Sequence, residues 1–533
     1  MRLDGIDRPP LSTRELHNAL LARQYQLGQG AGLPRWRQEV LTELRRSVQP
    51  VEPPVLDRLA GWGFQLLGGE HIWLPRAVSA LLWVLGGVFL YLLSLRVTNR
   101  VGALVALALY LFWPYGVVMS RLYIPDPLMV ALLLAGALAV VRYWEAPSRR
   151  RLAEASGVAA VATATKPGID LVFLVVLFAA LAVSHGALRR SLLGGTLPAF
   201  AAAAAAPTVA YWVYGTFIED FLLSLGDAGN RVQVHLITSG SFWRGWWEQL
   251  SVVLPFPQHQ RYLALIPLVA GLAGLMVARA GPPRAIIAGL GLGYVAYAVA
   301  VAGFTATNAY YALPVIPILA LAIGALAGFV VTWTRAAEPR AGAAVLGVIA
   351  LVVAIGAYKS RPDAVDRAAI ADYQRIGELT GHTTNAVVID ERLRSPAMYW
   401  GWIVAHYWYE PTPGQDLPAS GNPFPTRIDP ARASYLVVVG AAELQSERRL
   451  RTITRTLPVV ARTARYAVFD VRGGRLARSV SAGARNGRAR VAFLQERFEQ
   501  QRDRDHRHEH ERDKHRKAYG VHRPELAPPG IDT

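Results

Sequence analysis

The chain has 533 residues, 53% of them hydrophobic, and a formal net charge of +18. Several apolar runs of about 18 residues or more exclude an ordinary soluble protein and are typical of a polytopic membrane protein. The basic excess lies in short loops and in the C-terminal tail, which indicates membrane topology and anionic lipid rather than nucleic acid. There is no cysteine, so disulfides, thiolate nucleophiles and Cys–zinc sites are excluded.

Residues 1–72 are rich in Arg, Pro and Glu and lack the charged-then-apolar form of a signal peptide. Glu15–Leu27 and Val55–Leu67 have the spacing of amphipathic helices. We therefore predict an acidic and amphipathic segment here that does not span the membrane.

Residues 73–360 are predicted to form a transmembrane helical domain of about ten spans. We place them at about 74–95, 101–119, 127–144, 152–165, 169–186, 192–214, 262–279, 284–304, 309–334 and 341–358. Arg-rich loops alternate with Arg-poor loops, and the positive-inside rule makes the Arg-rich set cytoplasmic. We therefore expect a plasma-membrane protein with residues 1–72, the Asp126 and Lys166 loops, and everything after residue 358 extracytoplasmic.

This topology puts Met1 outside the membrane without a helix that would carry the chain there. We expect a first helix upstream of the sequence given, because the start is misassigned or because the natural protein begins differently.

Residues 361–472 are predicted to form a small extracytoplasmic α/β domain. Apolar or β-branched runs predict strands at Ala386–Ile389, Tyr435–Val439 and Tyr466–Val471. Helical spacing is found over Ala364–Leu379 and Glu443–Thr456, and the alternation indicates a layered βα fold. The charged tail, residues 473–533, is expected to be disordered.

The stretch Ser120–Leu128 places Arg121, Asp126 and two prolines between two long apolar runs. An ionisable residue beside hydrocarbon indicates a functional site by default. The alternative is a polar interfacial turn, in which Arg121 snorkels and Asp126 caps the following helix.

Three acidic side chains, Glu15, Glu52 and Asp126, converge on the outer face in this topology. Carboxylates there suit general-base catalysis on an acceptor hydroxyl, or hold a divalent cation against a phosphate. The cofactor is left open, with Glu15 and Asp126 as the candidate metal ligands. The alternatives are structural: Glu15 serves the first turn of a helix, and Glu52 is a turn residue before two prolines.

The cationic candidates for binding a phosphate leaving group are Arg14, Arg121, Lys166 and Arg231, because negative charge develops on its oxygens as the bond breaks. Lys166 lies between two apolar segments on the side where lysine is disfavoured. Tyr310 and Tyr311 open a late span and could hydrogen-bond a sugar or phosphate. Their alternative is the aromatic belt at the membrane interface.

The order of these elements resembles the GT-C membrane glycosyltransferases of the family 39 type, related to protein O-mannosyltransferases and lipid A aminoarabinose transferases. Glu15 matches the Glu of the family's Asp-Glu pair, whereas Arg14 stands where its Asp would be. Glu52-Pro53-Pro54-Val55 corresponds to the family's Lys-Pro-Pro-Leu element, so a second charge is inverted.

Further matches to the family follow in chain order: Leu67–Arg76, Asp126, Lys166-Pro167, and Tyr310-Tyr311 with Pro314. The resemblance covers about residues 1–360, and more weakly 361–472. It implies transfer of a sugar from a polyprenyl-phosphate donor to an acceptor at the outer membrane face, with inversion at the anomeric carbon.

The resemblance implies roles for the candidate residues. Those implied to act in catalysis are Glu15, Glu52 and Asp126. Those implied to bind substrate are Arg14, Arg121, Lys166, Tyr310 and Tyr311. The expected partners are the donor lipid, the bilayer and an acceptor that could be a protein, a lipid or a glycan, with no nucleic acid.

Two other classes of protein are weighed against the enzyme. A non-catalytic membrane protein on the same scaffold, which binds or senses lipid-linked sugar, is favoured by the altered acidic pair. A secondary transporter would have related halves with broken helices near the midplane, and the sequence shows no such symmetry.

Overall fold

The computed structural model describes residues 5–10, 12–28, 30–50, 52–218, 234–254, 261–337, isolated positions from 343 to 358, 366–390, 394–407, 432–440, 454–473 and 475. The chain divides into two compact units. The first comprises Met1–Tyr409 with Asp416–Ile428, and the second comprises Glu410–Gln415 with Asp429–Thr533.

The first unit begins with three helices: α1 (Thr13–Leu27), α2 (Arg35–Ser47) and α3 (Val55–Leu66). Ser12 caps α1 by accepting a hydrogen bond from the backbone N–H of Glu15. Helix α3 packs closely on α1 at Gly61, where a Cβ would lie 2.9 Å from the carbonyl oxygen of Ala22. The amphipathic helices predicted at Glu15–Leu27 and Val55–Leu67 are therefore confirmed.

A bundle of helices follows: α4 (Trp73–Val97), α5 (Arg100–Phe112), α6 (Pro114–Met119), α7 (Asp126–Glu145), α8 (Arg149–Thr165), α9 (Ile169–Ser184), α10 (Leu188–Leu193), α11 (Thr196–Val213), α12 (Gly240–Val253), α13 (Leu265–Val277), α14 (Pro282–Ala300), α15 (Ala302–Thr305) and α16 (Val315–Ala337). A 3₁₀ turn, Ala309–Ala312, precedes α16. The buried core is built from the inward faces of these helices, and stacked rings such as Trp83 on Tyr110 fill it.

Five helical stretches in the described chain are long and apolar enough to cross a membrane: Trp73–Val97, Asp126–Glu145, Thr196–Phe217, Pro282–Ala300 and Ala309–Thr334. Helices α5, α9 and α13 are shorter but also apolar. The chain is therefore a multi-pass membrane protein. The last predicted span, 341–358, lies largely outside the described residues, so the number of crossings stays a prediction.

Two predicted spans differ in detail from the helices found. The span at 101–119 is divided, because α5 ends at Phe112 and Pro114 begins α6. Proline lacks the N–H that would continue the first helix, whereas it suits a helix start. The predicted span at 152–165 is helical as α8, but α8 is not among the apolar helices of the described chain.

Glycines allow the closest helix contacts. A Cβ at Gly324 of α16 would lie 2.6 Å from the carbonyl oxygen of Gly102 in α5. A Cβ at Gly274 of α13 would clash with the carbonyl oxygen of Ala322 in α16. Small residues of this kind let helix backbones approach each other where side-chain burial gives no driving force.

The C-terminal part of the first unit contains α17 (Arg367–Leu379), β1 (Ala386–Ile389), α18 (Ser395–Trp400) and β2 (Ala405–Tyr407). Strands β1 and β2 are parallel, with Ala386 opposite Ala405. The second unit contains β3 (Tyr435–Val439), β4 (Val459–Arg462) and β5 (Tyr466–Asp470), in which β5 pairs antiparallel with both β3 and β4.

The strands predicted at 386–389, 435–439 and 466–471 are confirmed, with the last ending one residue earlier. Strand β2 was missed because it has only three residues, and β4 because its residues are mostly exposed and lack an apolar face. The helix predicted over Glu443–Thr456 and the charged tail lie largely outside the described residues. The predicted domain boundaries stay predictions.

Candidate functional site

Tyr123 fixes the loop 120–125, which joins α6 to α7. Its backbone N–H donates to Glu15 Oε1 at 2.9 Å, and its carbonyl oxygen accepts from Asn18 Nδ2 at 2.9 Å. Its hydroxyl donates to Asp57 Oδ1 at 2.7 Å, and the side chain is fully buried. Residues of α1 and α3 therefore determine the path of the chain that leads into Asp126.

Glu15 is buried in the first turn of α1. Its carboxylate oxygens accept from Nε and Nη2 of Arg76, in the first turn of α4, at 2.6 and 2.8 Å. This bidentate pair is the geometry in which a guanidinium binds a carboxylate most strongly. Because the same carboxylate also accepts from Tyr123, Glu15 joins α1, α4 and the loop 120–125.

Asp126 and Lys166 form the most deeply buried ion pair described in the structure. Asp126 begins α7, Lys166 follows α8, and Nζ donates to Oδ1 at 2.7 Å. The two side chains are 1% and 3% exposed. Burying either charge alone would cost several kcal/mol, so each holds the other in place. The second Asp126 oxygen, Oδ2, has no hydrogen-bond partner within the part of the chain that the structure describes.

Tyr310 and Tyr311 lie over Lys166. Its Nζ is 5.2 Å from the ring centroid of Tyr310 and 5.0 Å from that of Tyr311, within the range of a cation–π interaction. The 3₁₀ turn before α16 presents both rings. The two tyrosines therefore contact a buried lysine, which a simple interfacial belt would not require.

Arg14 and Glu52 form a second ion pair, although 38 residues separate them. Arg14 is in the first turn of α1, and Glu52 precedes Pro53-Pro54. Arg14 also interacts electrostatically with Tyr310 and Asp126, which brings the two ion pairs into one cluster. Thus the two positions at which the sequence inverts the charge expected from the resemblance contact each other.

A small cavity beside Glu52 is lined by His17, Asn18, Asp57, Pro125 and Thr165 among other residues. Burial, assisted by the charge of Arg14, lowers the pKa of His17 to about 3, so its imidazole is neutral. Burial raises the pKa of Asp57 to about 7, although the Tyr123 hydroxyl and Arg14 oppose the shift. Asp57 is therefore the carboxyl group here that titrates near neutrality.

The structure brings together six of the eight predicted site residues: Arg14, Glu52, Asp126, Lys166, Tyr310 and Tyr311. Glu15 reaches the loop that carries Asp126 but binds Arg76 with both oxygens. Arg121 is 8% exposed, which does not fit a side chain that snorkels to water. The role of Arg121 in binding phosphate stays a prediction, and Arg231 lies outside the described residues.

The sequence argument missed Asp57, Tyr123 and Asp170. Asp57 could have been found, because it occupies the buried face of the amphipathic helix α3 together with Leu56, Ala60 and Phe64. Asp170, in the first turn of α9, is fully buried, and neither carboxylate oxygen has a hydrogen-bond partner among the described residues. Its signal was a carboxylate at the start of an apolar segment, four residues after Lys166.

The carboxylates suggested as metal ligands have cationic partners in this structure. Among the residues that the structure describes, no three His, Cys, Asp or Glu side chains lie together in a way that could hold a metal ion. Both Glu15 oxygens bind a guanidinium, and one Asp126 oxygen binds an ammonium group. The assignment of Glu15 and Asp126 as metal ligands stays a prediction.

The structure thus combines a multi-pass helical bundle with amphipathic helices that pack over a buried charged cluster. Residues 51–214 match the family described as dolichyl-phosphate-mannose-protein mannosyltransferase. The resemblance to GT-C membrane glycosyltransferases inferred from the sequence is thereby confirmed over the segment that contains Glu52, Asp126 and Lys166.

The fold is also similar to solved structures of ArnT from Cupriavidus metallidurans, in the apo state and bound to undecaprenyl phosphate. Each has a TM-score of 0.53 and 15% identity, over 86% of this chain and 93% of that one. AglB from Archaeoglobus fulgidus, in complex with an inhibitory peptide and a dolichol-phosphate, has a TM-score of 0.48 and 13% identity, over 81% and 66% of the two chains. At 15% identity the ArnT similarity shows a shared fold. No curated protein matches the sequence significantly.

Proposed function

We propose that the protein is a glycosyltransferase that moves a sugar from a polyprenyl-phosphate donor to an acceptor at the outer face of the membrane. The observation that supports this most is the joining of two ion pairs, Arg14–Glu52 and Asp126–Lys166, in one cluster beside Tyr310 and Tyr311. The match of residues 51–214 to a mannosyltransferase family and the ArnT fold bound to undecaprenyl phosphate support the same donor class.

Lys166 and Arg14 are the groups that would stabilise the leaving phosphate. Each already has a carboxylate partner, so the phosphate oxygens would exchange with or share that partner. Lys166 is buried, and a fixed cation in a site that excludes water acts on developing charge more strongly than it would in water. Arg121 is a further candidate ligand for the phosphate.

Glu52 is the carboxylate best placed to act as general base. It lines the small cavity, and its side chain is 15% exposed, whereas Asp126 is almost fully enclosed. In one displacement, the acceptor oxygen bonds to the anomeric carbon as the bond from that carbon to the phosphate oxygen breaks. The acceptor proton passes to Glu52, and polyprenyl phosphate leaves.

Asp126 and Glu15 have different proposed roles. Asp126 holds Lys166 and has one oxygen, Oδ2, for which the described residues supply no hydrogen-bond partner, so it can orient a donor or acceptor hydroxyl. Glu15 holds Arg76 and the backbone of Tyr123, and it acts as a positioning residue. The phenol rings of Tyr310 and Tyr311 line the sugar or lipid pocket.

The proposed topology follows the distribution of charge in the loops. Residues 73–360 form a transmembrane domain of about ten spans. The segment before it, residues 1–72, and the α/β domain after it, residues 361–472, are extracytoplasmic. Residues 473–533 form a charged tail. The acceptor is a protein, a lipid or a glycan.

The test is transfer by the purified protein in lipid nanodiscs, supplied with a panel of polyprenyl-phosphate sugars. Release of polyprenyl phosphate is measured for the native protein and for Glu52→Gln, Asp126→Asn and Lys166→Gln. The matched control is Arg150→Gln, which breaks an exposed ion pair with Glu154 elsewhere in the chain.

We expect release by the native protein and the control, and at least a hundredfold loss in Glu52→Gln if it is the base, since general-base catalysis contributes about 10²–10⁴-fold. Transfer that survives both Glu52→Gln and Asp126→Asn would place the acidic centre elsewhere. Binding of the lipid-linked sugar without release, across the panel, would instead support the non-catalytic alternative.

A further inference from the structure

Asp57 is the one carboxyl group of α3 that faces the buried side of the helix. Its Oδ1 accepts a hydrogen bond from the Tyr123 hydroxyl at 2.7 Å. It also lines the cavity that contains Glu52 and Pro125. None of the proposed chemical steps uses Asp57, yet it contacts the loop that leads to Asp126.

Tyr123 connects that loop to α3 through the hydrogen bond of its hydroxyl to Asp57. The N–H and carbonyl groups of Tyr123 bind Glu15 and Asn18 of α1, so the hydroxyl is its connection to α3. Asp126 follows three residues later and begins α7. A change in the hydrogen bond between Tyr123 and Asp57 therefore acts on residues 123–126, and Asp126 at the end of this segment forms the ion pair with Lys166.

The charged and titratable groups around Asp57 come from each element that packs on it. Helix α1 contributes Arg14 and His17, the segment before α3 contributes Glu52, and the loop contributes Tyr123. From α4, Arg76 is occupied by Glu15. His17 is neutral at any pH above about 4 because its pKa lies near 3. Arg14 stays charged, whereas Asp57, with a pKa of about 7, changes its charge in mild acid.

We propose that Asp57 is a positioning residue for the site: it holds the loop 120–125 through the Tyr123 hydroxyl, and because the carboxyl group is buried, the held state loses stability when Asp57 ionises, although the carboxylate accepts the hydroxyl more strongly. This inference rests on the proposed function only in treating the charged cluster as the site of sugar transfer. The state of the loop itself can be measured without any transfer reaction. Asp57 adds to the site a carboxyl group that acts on Asp126 through the backbone.

The direction follows from linkage. The pKa of Asp57 is raised by burial from 3.8 to about 7 while the loop is held, and it returns toward the ordinary value when opening exposes the group to water. The held state therefore binds the proton more tightly than the open state does. The stability of the held state relative to the open state is greatest below about pH 4. It falls as the pH rises towards about 7 and is constant above that.

The test is amide hydrogen exchange of the peptide that covers residues 120–126, measured by mass spectrometry on the full chain in nanodiscs between about pH 5 and pH 8. Rates are corrected for the intrinsic pH dependence of exchange. For the native protein we expect protection to fall by up to about tenfold per pH unit to about pH 7 and then to level off. In Asp57→Asn, which keeps a hydrogen-bond acceptor but cannot ionise, protection should be independent of pH.

Two further variants make the test specific. Tyr123→Phe should lower protection at pH 5, and its fall should continue beyond pH 7, because the hydroxyl no longer opposes the raised pKa of Asp57. Asp390→Asn is the matched control, because Tyr373 donates to Asp390 at 2.6 Å in the same kind of pair. It should leave the exchange of residues 120–126 unchanged.

A merely structural role would lower protection in Asp57→Asn at every pH and leave its slope as in the native protein, which would overturn the proposal. A Tyr123→Phe profile identical to that of the native protein would also overturn it. If exchange behaves as expected and no transfer is found with any donor, the proposed function fails and the role of Asp57 in holding the loop stands.

Discussion

Arg14 and Glu52 are in direct contact, and both carry the charge opposite to the one that the family resemblance implies at their positions. A single inversion would have placed two like charges side by side in a partly buried site. The double inversion keeps an ion pair between the same two places, α1 and the Pro53-Pro54 element. This contact supports the hypothesis, drawn from sequence, that the polarity is exchanged within one site.

The first prediction concerns that exchange. Arg14→Asp alone or Glu52→Lys alone should destabilise the folded protein by on the order of 2 to 4 kcal/mol, because each leaves like charges in contact where the side chains are largely buried. The double variant should recover most of this loss. The measurement is the thermal transition of the purified protein in detergent, and recovery of less than half of the loss in the double variant would contradict the pairing.

The second prediction distinguishes a structural role of Lys166 from a role in the transfer reaction. Lys166→Met should destabilise the protein strongly, because Asp126 then keeps an unpaired buried charge. Adding Asp126→Asn should restore stability, since two neutral groups of similar size replace the pair. Transfer should remain lost in the double variant, measured per folded molecule as released polyprenyl phosphate. Recovery of transfer together with stability would mean that the pair is only structural.

The third prediction concerns Glu15. Glu15→Gln removes the charge that binds Arg76 and weakens the hold on Tyr123. We expect a loss of stability of about 3 kcal/mol or more, and a loss of transfer per folded molecule much smaller than in Glu52→Gln. Arg35→Gln, which breaks an exposed pair with Glu39, is the control and should change stability by less than about 1 kcal/mol. A catalytic defect in Glu15→Gln equal to that of Glu52→Gln would assign both residues to the chemistry.

The fourth prediction is a dependence of stability on pH. Because burial raises the pKa of Asp57 from 3.8 to about 7, the folded protein binds a proton that the unfolded chain has lost in this interval. Stability from this group is present below about pH 4 and is lost as the pH rises to about 7. Relative to the native protein, Asp57→Asn should thus gain stability by up to about 4 kcal/mol between these limits.

The measurement for this fourth prediction is the difference in thermal midpoint between Asp57→Asn and the native protein across that interval. Asp390→Asn provides the reference for a Tyr–Asp pair at another place in the chain. A difference that is constant with pH would mean that Asp57 does not change its charge there.

The helices were predictable from sequence because apolar run length and loop charge are local signals, and α4, α7 and α14 follow them closely. Asp126, Lys166, Arg14 and Glu52 could be chosen because charges beside apolar segments need a reason. Their pairing could not, since the partners are 40 and 38 residues apart and nothing local specifies which charge meets which. The three hydrogen bonds of Tyr123 could not be predicted either, because two of them use its backbone atoms, which carry no signal in the sequence.

The Arg14–Glu52 and Asp126–Lys166 pairs each carry as many positive as negative charges. Under the proposed function, the phosphate of the donor therefore finds no uncommitted cation in these two pairs, and its charge is balanced by a partner exchange or by a proton taken up from water. Donor recognition then becomes a substitution of one anion for another. The affinity for the donor then depends on how much more strongly the cations bind phosphate than carboxylate. The measured enthalpy of binding should vary with the ionisation enthalpy of the buffer whenever a displaced carboxylate takes up a proton.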